Sequence, residues 1–148
     1  MEFITSDSFL NFLAHVGTGF GLIVLGLITF AFTTKFSEWE LIKAGNTAVA
    51  LKLWGKVIGL AITLYTVWGG SVSLLDAFLW GIIGIVTQII AYLIIEYVLT
   101  PKTNLAKKIE EGNMAVGFSL FAAGITVGLV VAGSLTYSYG SFLKPCFF

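Results

Sequence analysis

The chain has no arginine, one histidine, one cysteine and two prolines, and only 11% of its 148 residues carry charge. Without arginine, and with eight lysines balanced against eight acids, there is no broad basic surface of the kind a phosphate backbone requires, so nucleic acid is not expected as a partner. A lone cysteine, Cys146, excludes an intrachain disulfide framework. A lone histidine, His15, excludes a zinc or bis-histidine haem site built within one protomer. Soluble domains carry roughly a quarter charged residues. Here 57% of residues are hydrophobic, 15% are aromatic and the mean hydropathy is +0.97, so the lipid bilayer is the expected solvent.

What the sequence does contain is long uncharged runs. The 27 residues between Asp7 and Lys35 include neither acid nor lysine, and a spanning helix needs about 20 apolar residues. Further runs lie between Asp76 and Glu96 and between Glu111 and Lys144. They predict spans over residues 9–33, 77–99 and 114–136. Only Glu2 and Asp7 precede the first run, the wrong charge for a cleaved secretory signal, so that segment is expected to be retained.

Residues 45–68 are ambiguous by hydropathy, because Lys52 and Lys56 fall inside them and Gly69-Gly70 follows. A self-match resolves the ambiguity: Ile42-Lys43-Ala44-Gly45-Asn46-Thr47-Ala48-Val49 corresponds to Ile109-Glu110-Glu111-Gly112-Asn113-Met114-Ala115-Val116, 67 residues later. Such periodicity marks a duplicated unit. It predicts another span over residues 47–68. The expected fold is an all-α integral membrane protein, a single membrane domain over residues 1–148 with four transmembrane helices. These form two tandem, parallel-related two-helix repeats, about residues 9–70 and 74–137, with a tail over 138–148.

Gly45-Asn46 and Gly112-Asn113 each supply a glycine to end one helix and an asparagine to cap the next. Ser37-Glu38-Trp39-Glu40 reads as a capping box, and Thr103 or Asn104 is placed to start a matching helix over residues 105–111. Short amphipathic connectors at the membrane surface follow. They hold Lys35, Lys43, Lys102, Lys107 and Lys108, with Lys52 and Lys56 toward the same end, whereas Lys144 stands alone at the other. The positive-inside bias puts the connectors in the cytoplasm and both termini outside. Cys146 then reads as an unpaired thiol of an extracytoplasmic tail.

On a helical wheel, Lys52, Gly55, Lys56, Gly59, Thr63, Thr66 and Gly70 share one face of the second span. Asn11, His15, Thr18, Gly26, Thr29 and Thr33 do so in the first, and Gly81, Gly84, Gln88, Tyr92 and Glu96 in the third. Gly117, Gly124 and Gly128 give the fourth a close-approach face. Two readings stay open for these stripes: helix packing through small-xxx-small contacts, or the lining of a polar pathway. Lys56 lies about 14 Å along its span, where a lysine costs about 2.5 to 3.5 kcal/mol on insertion scales. Lys52 is placed to snorkel to the surface. Glu96 is the expected counter-ion, in a Lys52/Lys56–Glu96 network that is either a structural pair or part of an ion or anionic-ligand pathway. Asp76 with Ser73 reads as a cap of the third span, and His15 is within reach of Asp76, Gln88 or a water, as a satisfied buried group or a proton relay. No paired-carboxylate, G-x-S-x-G, H-E-x-x-H or phosphate-loop motif occurs, so no catalytic residue, metal or cofactor is expected.

Three stretches carry a resemblance. Glu40-Leu41-Ile42-Lys43-Ala44-Gly45-Asn46-Thr47-Ala48-Val49-Ala50, Ser71-Val72-Ser73-Leu74-Leu75-Asp76 leading into Leu79-Trp80-Gly81, and Ile109-Glu110-Glu111-Gly112-Asn113 together resemble the YjfL-type family of bacterial inner-membrane proteins, domain of unknown function 350. The resemblance covers roughly residues 9–137. It implies a four-span, duplicated protein of the bacterial plasma membrane, in a family without an established activity whose relatives are discussed beside amide-ligase and membrane-scaffold proteins. Lys52 and Lys56 depart from the family's small apolar residues, which leaves Asp76, Gly45, Asn46, Gly112 and Asn113 as the positions the resemblance supports. The leading functional expectation is a non-enzymatic, self-associating scaffold or subunit whose connectors engage a cytoplasmic protein. The rival is a small ion or proton pathway lined by Thr63, Thr66, Gln88, Thr29 and His15 and tuned by Lys56 and Glu96. A third reading is a redox subunit with a cofactor held between the His15 residues of two protomers.

Overall fold

A computed structural model describes residues 6–34, 37–99 and 105–142, with the side chains of Glu96, Leu99 and residues 137–142 left outside the description. Lys35, Lys102, Thr103, Asn104, Lys144 and Cys146 also lie outside the described residues. Within them the secondary structure is entirely helical: α1 (Ser6–Thr33), α2 (Glu38–Lys43), α3 (Thr47–Gly70), α4 (Leu74–Leu99), α5 (Leu105–Glu110) and α6 (Met114–Phe142). Four of these helices, α1, α3, α4 and α6, are long and apolar enough to cross a membrane. The outward faces bear Phe20, Phe32, Tyr65, Ile90, Phe118 and Val130 largely uncovered. In water such a surface would be an aggregation hazard, whereas in lipid it is the solvated face.

The junctions α2–α3 and α5–α6 have the same backbone geometry. Gly45 and Gly112 adopt φ of 88° and 79°, the left-handed conformation that other residues reach only with strain. The Gly45 and Gly112 amides donate to the carbonyls of Ile42 and Ile109, and the Asn46 and Asn113 amides to those of Leu41 and Lys108. This is the Schellman closure, which satisfies the last carbonyls of a helix before the chain reverses. The following helices are capped by Asn46 Oδ1, 3.1 Å from the Val49 amide, and Asn113 Oδ1, 3.2 Å from that of Val116. Asn46 also binds the junctions together, its Nδ2 donating to the carbonyls of Ile109 at 2.9 Å and Glu110 at 3.0 Å.

The bundle is organised around α3. Half of its apolar window is buried, against 17% for α1. Helices α3 and α6 run parallel with their backbones almost touching. A Cβ added at Gly117 would meet Ala48 Cα at 2.7 Å, one at Gly55 would meet Phe121 Cα at 2.6 Å, and one at Gly124 would meet the Gly55 carbonyl carbon at 2.6 Å. The contact continues at Gly59 and Gly128. Two small-xxx-small motifs are thereby used against each other inside one chain. Gly17 and Gly21 of α1 have no atom within 4 Å of an added Cβ, so the third such motif faces away from the bundle.

Side-chain packing fills the remaining space in three clusters. Val67, Ala77, Val127, Val131 and Leu135 pack at the end away from the connectors, and Leu22, Leu60, Leu64 and Ile85 in the middle. Val49, Tyr92, Ile109 and Leu120 pack at the connector end, with Leu41, Ile42 and Leu105 of the short helices against them. The connectors therefore dock on the core through an apolar edge, as amphipathic surface helices do.

Candidate functional site

The polar face of α3 is buried from Lys52 to Thr63. Its residues Lys52, Lys56 and Thr63 are 4%, 2% and 0% exposed, and they meet Glu38 of α2 and Gln88 of α4, at 7% and 1%. No other Asp, Glu, Lys or His side chain among the described residues is buried to this degree. Burying charge in an apolar medium is costly, so the physical question is what compensates each group.

At the connector end, Lys52 Nζ lies 3.2 Å from Glu38 Oε1, and Thr34 donates its hydroxyl to the same oxygen at 3.2 Å. Lys52 is thus held inside and paired, where the sequence predicted that it would snorkel out. The capping box expected at Ser37 does not form: Ser37 occupies the N-cap but makes no side-chain cap bond. Glu38 turns inward instead because it shares the i, i+3, i+4 face of α2 with Leu41 and Ile42, both packed on the core. That periodicity was the available signal for Glu38, and the capping pattern concealed it. Glu96, the counter-ion expected from sequence, has its side chain outside the described residues.

One turn further along, the Lys56 ammonium stands over two aromatic faces, 4.4 Å from the Tyr92 centroid and 5.1 Å from that of Phe30. The two rings meet edge to face at 6.5 Å. Ring quadrupoles attract a cation, and the attraction grows when water is excluded. Tyr92 was legible on the polar face of α4. Phe30 was not, since nothing distinguishes it in the sequence from twelve other phenylalanines.

Beyond Lys56 the column continues as hydrogen bonds between helices. Gln88 Nε2 donates to the Lys56 carbonyl at 3.3 Å. Thr63 Oγ1 lies 3.1 Å from the Gly59 carbonyl, 3.3 Å from that of Gly128 and 3.5 Å from Gln88 Oε1. Its single proton serves one of these at a time, so Thr63 sits where α3, α4 and α6 converge. The α4 backbone comes this close because Gly84 leaves room: a Cβ there would be 2.8 Å from Thr63 Cγ2.

The other candidates lie elsewhere. Thr66 donates to the Ile62 carbonyl at 3.2 Å, Thr29 to that of Leu25 at 2.7 Å and Thr18 to that of Ala14 at 2.8 Å, each bonding its own preceding turn. His15 meets neither Asp76 nor Gln88; its Nδ1 lies 2.8 Å from the Asn11 carbonyl and its ring stands edge-on to Trp68. At the start of α4, the Ser73 hydroxyl accepts from the Asp76 amide at 3.2 Å, and an Asp76 carboxylate oxygen accepts from the Val72 amide at 3.1 Å. Asp76 is a helix cap, separate from the buried column. Among the described residues no group of three His, Cys, Asp or Glu side chains is placed to hold a metal ion.

Four apolar helices around a sealed, charged seam define a small polytopic α-helical membrane protein. The chain belongs to the family named Domain of Unknown Function (DUF350), whose profile matches residues 3–135. It is 34% identical over 134 residues to the UPF0719 transmembrane protein YshE of Bacillus subtilis, covering 88% of this chain and 99% of that one. It is 30% identical over 131 residues to the UPF0719 inner membrane protein YjfL of Escherichia coli, covering 88% and 97% respectively. No solved structure matches the chain.

Proposed function

We propose that this protein is a non-enzymatic component of the bacterial plasma membrane, a self-associating scaffold or subunit whose connectors engage a soluble protein in the cytoplasm. The observation that carries this reading is the sealing of the polar column: Lys52, Lys56, Thr63 and Gln88 are all buried and engaged with neighbouring helices of the same chain. A seam of this kind fixes helix register. The α2–α3 and α5–α6 junctions, alike in their backbone closure and capping bonds 67 residues apart, support an origin by duplication of a two-helix unit. Lysine placement supports cytoplasmic connectors and extracytoplasmic termini. Exposed Trp39, Lys43, Lys107 and Lys108 then form the partner-facing surface. Self-association falls to the outward Gly17/Gly21 face of α1, because the glycines of α3 and α6 are occupied by each other.

A second reading, a narrow cation or proton pathway, draws on the continuity of the same column from Glu38 to Thr63. Reconstitution separates the two. Under proton and potassium gradients, liposomes containing the protein are expected to show no flux above empty vesicles, and cross-linking in native membranes is expected to give a discrete oligomer that Gly17→Leu/Gly21→Leu disperses. Flux that Lys56→Met abolishes, with helicity and melting preserved, would replace the scaffold by the pathway.

A further inference from the structure

Two faces of the bundle stand open whose equivalents in the same chain are covered. Adding 67 to a residue number, the spacing of the self-match and of the two junctions, carries α3 onto α6 and α1 onto α4. On α3, Ala48, Gly55 and Gly59 are buried, whereas their equivalents on α6, Ala115, Ala122 and Thr126, are exposed. On α4, Gly81, Gly84 and Gln88 are buried, whereas their equivalents on α1, Ala14, Gly17 and Gly21, are exposed. The covered pair shows how such faces meet. A Cβ at Gly84 would be 2.8 Å from Thr63 Cγ2, and one at Gly59 would be 2.8 Å from Gln88 Nε2. The equivalent pairs are Gly17 with Val130 and Gly21 with Thr126. Within one chain α1 does not present this face to α6, because it packs Leu22 on Gly81 and Gly26 on Leu60, beside α4 and α3.

The contact between the two halves of the chain is itself of the head-to-tail kind. A twofold contact would use one face twice. Here α3 offers Ala48, Gly55 and Gly59, while α6 offers Gly117, Gly124 and Gly128, whose equivalents on α3 are Ala50, Val57 and Ala61. Contacts between unlike faces leave a complementary open face at each end, and further copies can continue them. Because α3 and α6 run parallel, a copy added in this way keeps the same orientation in the bilayer.

We infer that α6 of one copy docks on α1 of the next as α3 docks on α4, with Thr126 against Gly21 and Val130 against Gly17, so that copies assemble head to tail into a ring or row. Small residues favour a helix over lipid as the occupant, because they let backbones approach. The open face of α6 also tolerates lipid until a copy arrives. Where α3 carries Lys52 and Lys56, α6 carries Ser119 and Ala123, so no charge is stranded. The Ser119 and Thr126 hydroxyls donate to the carbonyls of Ala115 and Ala122 at 2.8 and 2.9 Å, each within its own preceding turn. This assembly rests on the self-association proposed above and specifies both sides of its contact.

The test uses the full chain in native membranes, in a Cys146→Ser background, with two differently tagged forms made together, one carrying Gly21→Cys and the other Thr126→Cys. Oxidation with copper phenanthroline is expected to link the two forms to each other at least about tenfold more than either to itself, as a contact between unlike faces requires. Thr126→Leu is expected to disperse the oligomer as fully as Gly17→Leu/Gly21→Leu does, with the monomer's melting unchanged, because it fills the opposite side of the same contact. Subunit counting by single-molecule photobleaching on the unaltered protein gives the oligomer without relying on a variant. An oligomer in which the two forms do not link, in which Gly21→Cys links mainly to itself, or which Thr126→Leu leaves intact overturns the head-to-tail contact and spares self-association. A protein that counts as a monomer and gives no link overturns both and assigns the open faces to lipid.

Discussion

Glu38 and Lys52 meet at 3.2 Å with side chains 6% and 5% exposed, joining the first connector to the central helix inside the apolar core. Removing one partner of such a pair strands the other, which costs about 3 to 5 kcal/mol, whereas replacing both by apolar groups of similar volume is near neutral. Glu38→Gln and Lys52→Met are each expected to lower the melting temperature in detergent sharply, and Glu38→Leu/Lys52→Met to recover most of the loss. Additive losses in the double variant would show that the side chains do not act as a pair.

The Lys56 ammonium over Tyr92 and Phe30 makes a separate prediction. Desolvated cation–π contacts are worth about 2 kcal/mol. Tyr92→Leu should therefore destabilise more in the Lys56 protein than in a Lys56→Met background, by a coupling of that order in a double-mutant cycle read by chemical unfolding. A coupling near zero would leave the rings as packing alone.

Close approach of α3 and α6 leaves no room for a side chain at Gly124, where a Cβ would also lie 2.8 Å from the Lys56 amide nitrogen. Backbone cannot yield as a flexible side chain can, so Gly124→Leu is expected to separate the helices and abolish the folded form, seen as loss of a sharp thermal transition. Gly21→Leu, with nothing nearby, should leave the monomer's melting within about 0.5 kcal/mol of the parent.

The two capping asparagines should respond unequally. Asn113 caps α6 through the Val116 amide, whereas Asn46 caps α3 and also donates to the carbonyls of Ile109 and Glu110. Loss of a cap costs about 1 kcal/mol and each further hydrogen bond about as much. Asn46→Ala is expected to cost about three times what Asn113→Ala does, in denaturant titrations of the purified protein. Equal costs would mean that the contact between the junctions contributes nothing.

Much of the architecture was legible in the sequence because its physical causes are local. Uncharged run length sets the spans, and the glycine–asparagine pairs set the junctions through backbone conformation and capping, both of which act within a few residues. The glycines at 55, 59, 124 and 128 could be read as a close-approach face, since only missing side chains allow backbones to touch. Which faces would meet was not legible, because that depends on how four helices divide the interior among them. Hence three similar motifs had three apparent options, and packing used two of them against each other.

The polar residues divide in the same way. Their location on helix faces follows from a period of 3.6, so Lys52, Lys56 and Thr63 could be placed on one face of α3, and Gln88 and Tyr92 on one face of α4. Their partners could not. Glu38 is 14 positions from Lys52, on a different helix, and its inward turn is decided by the docking of Leu41 and Ile42. Phe30 reaches Lys56 only because Gly26 lets α1 settle against Leu60. The sequence by itself determined that the chain is a helical membrane protein with scarce charge gathered toward one end, since hydropathy and charge position are properties of the chain. Tertiary structure alone decided which counter-ion and which rings compensate the buried lysines, because desolvation is repaid by whatever groups packing brings within a few ångströms.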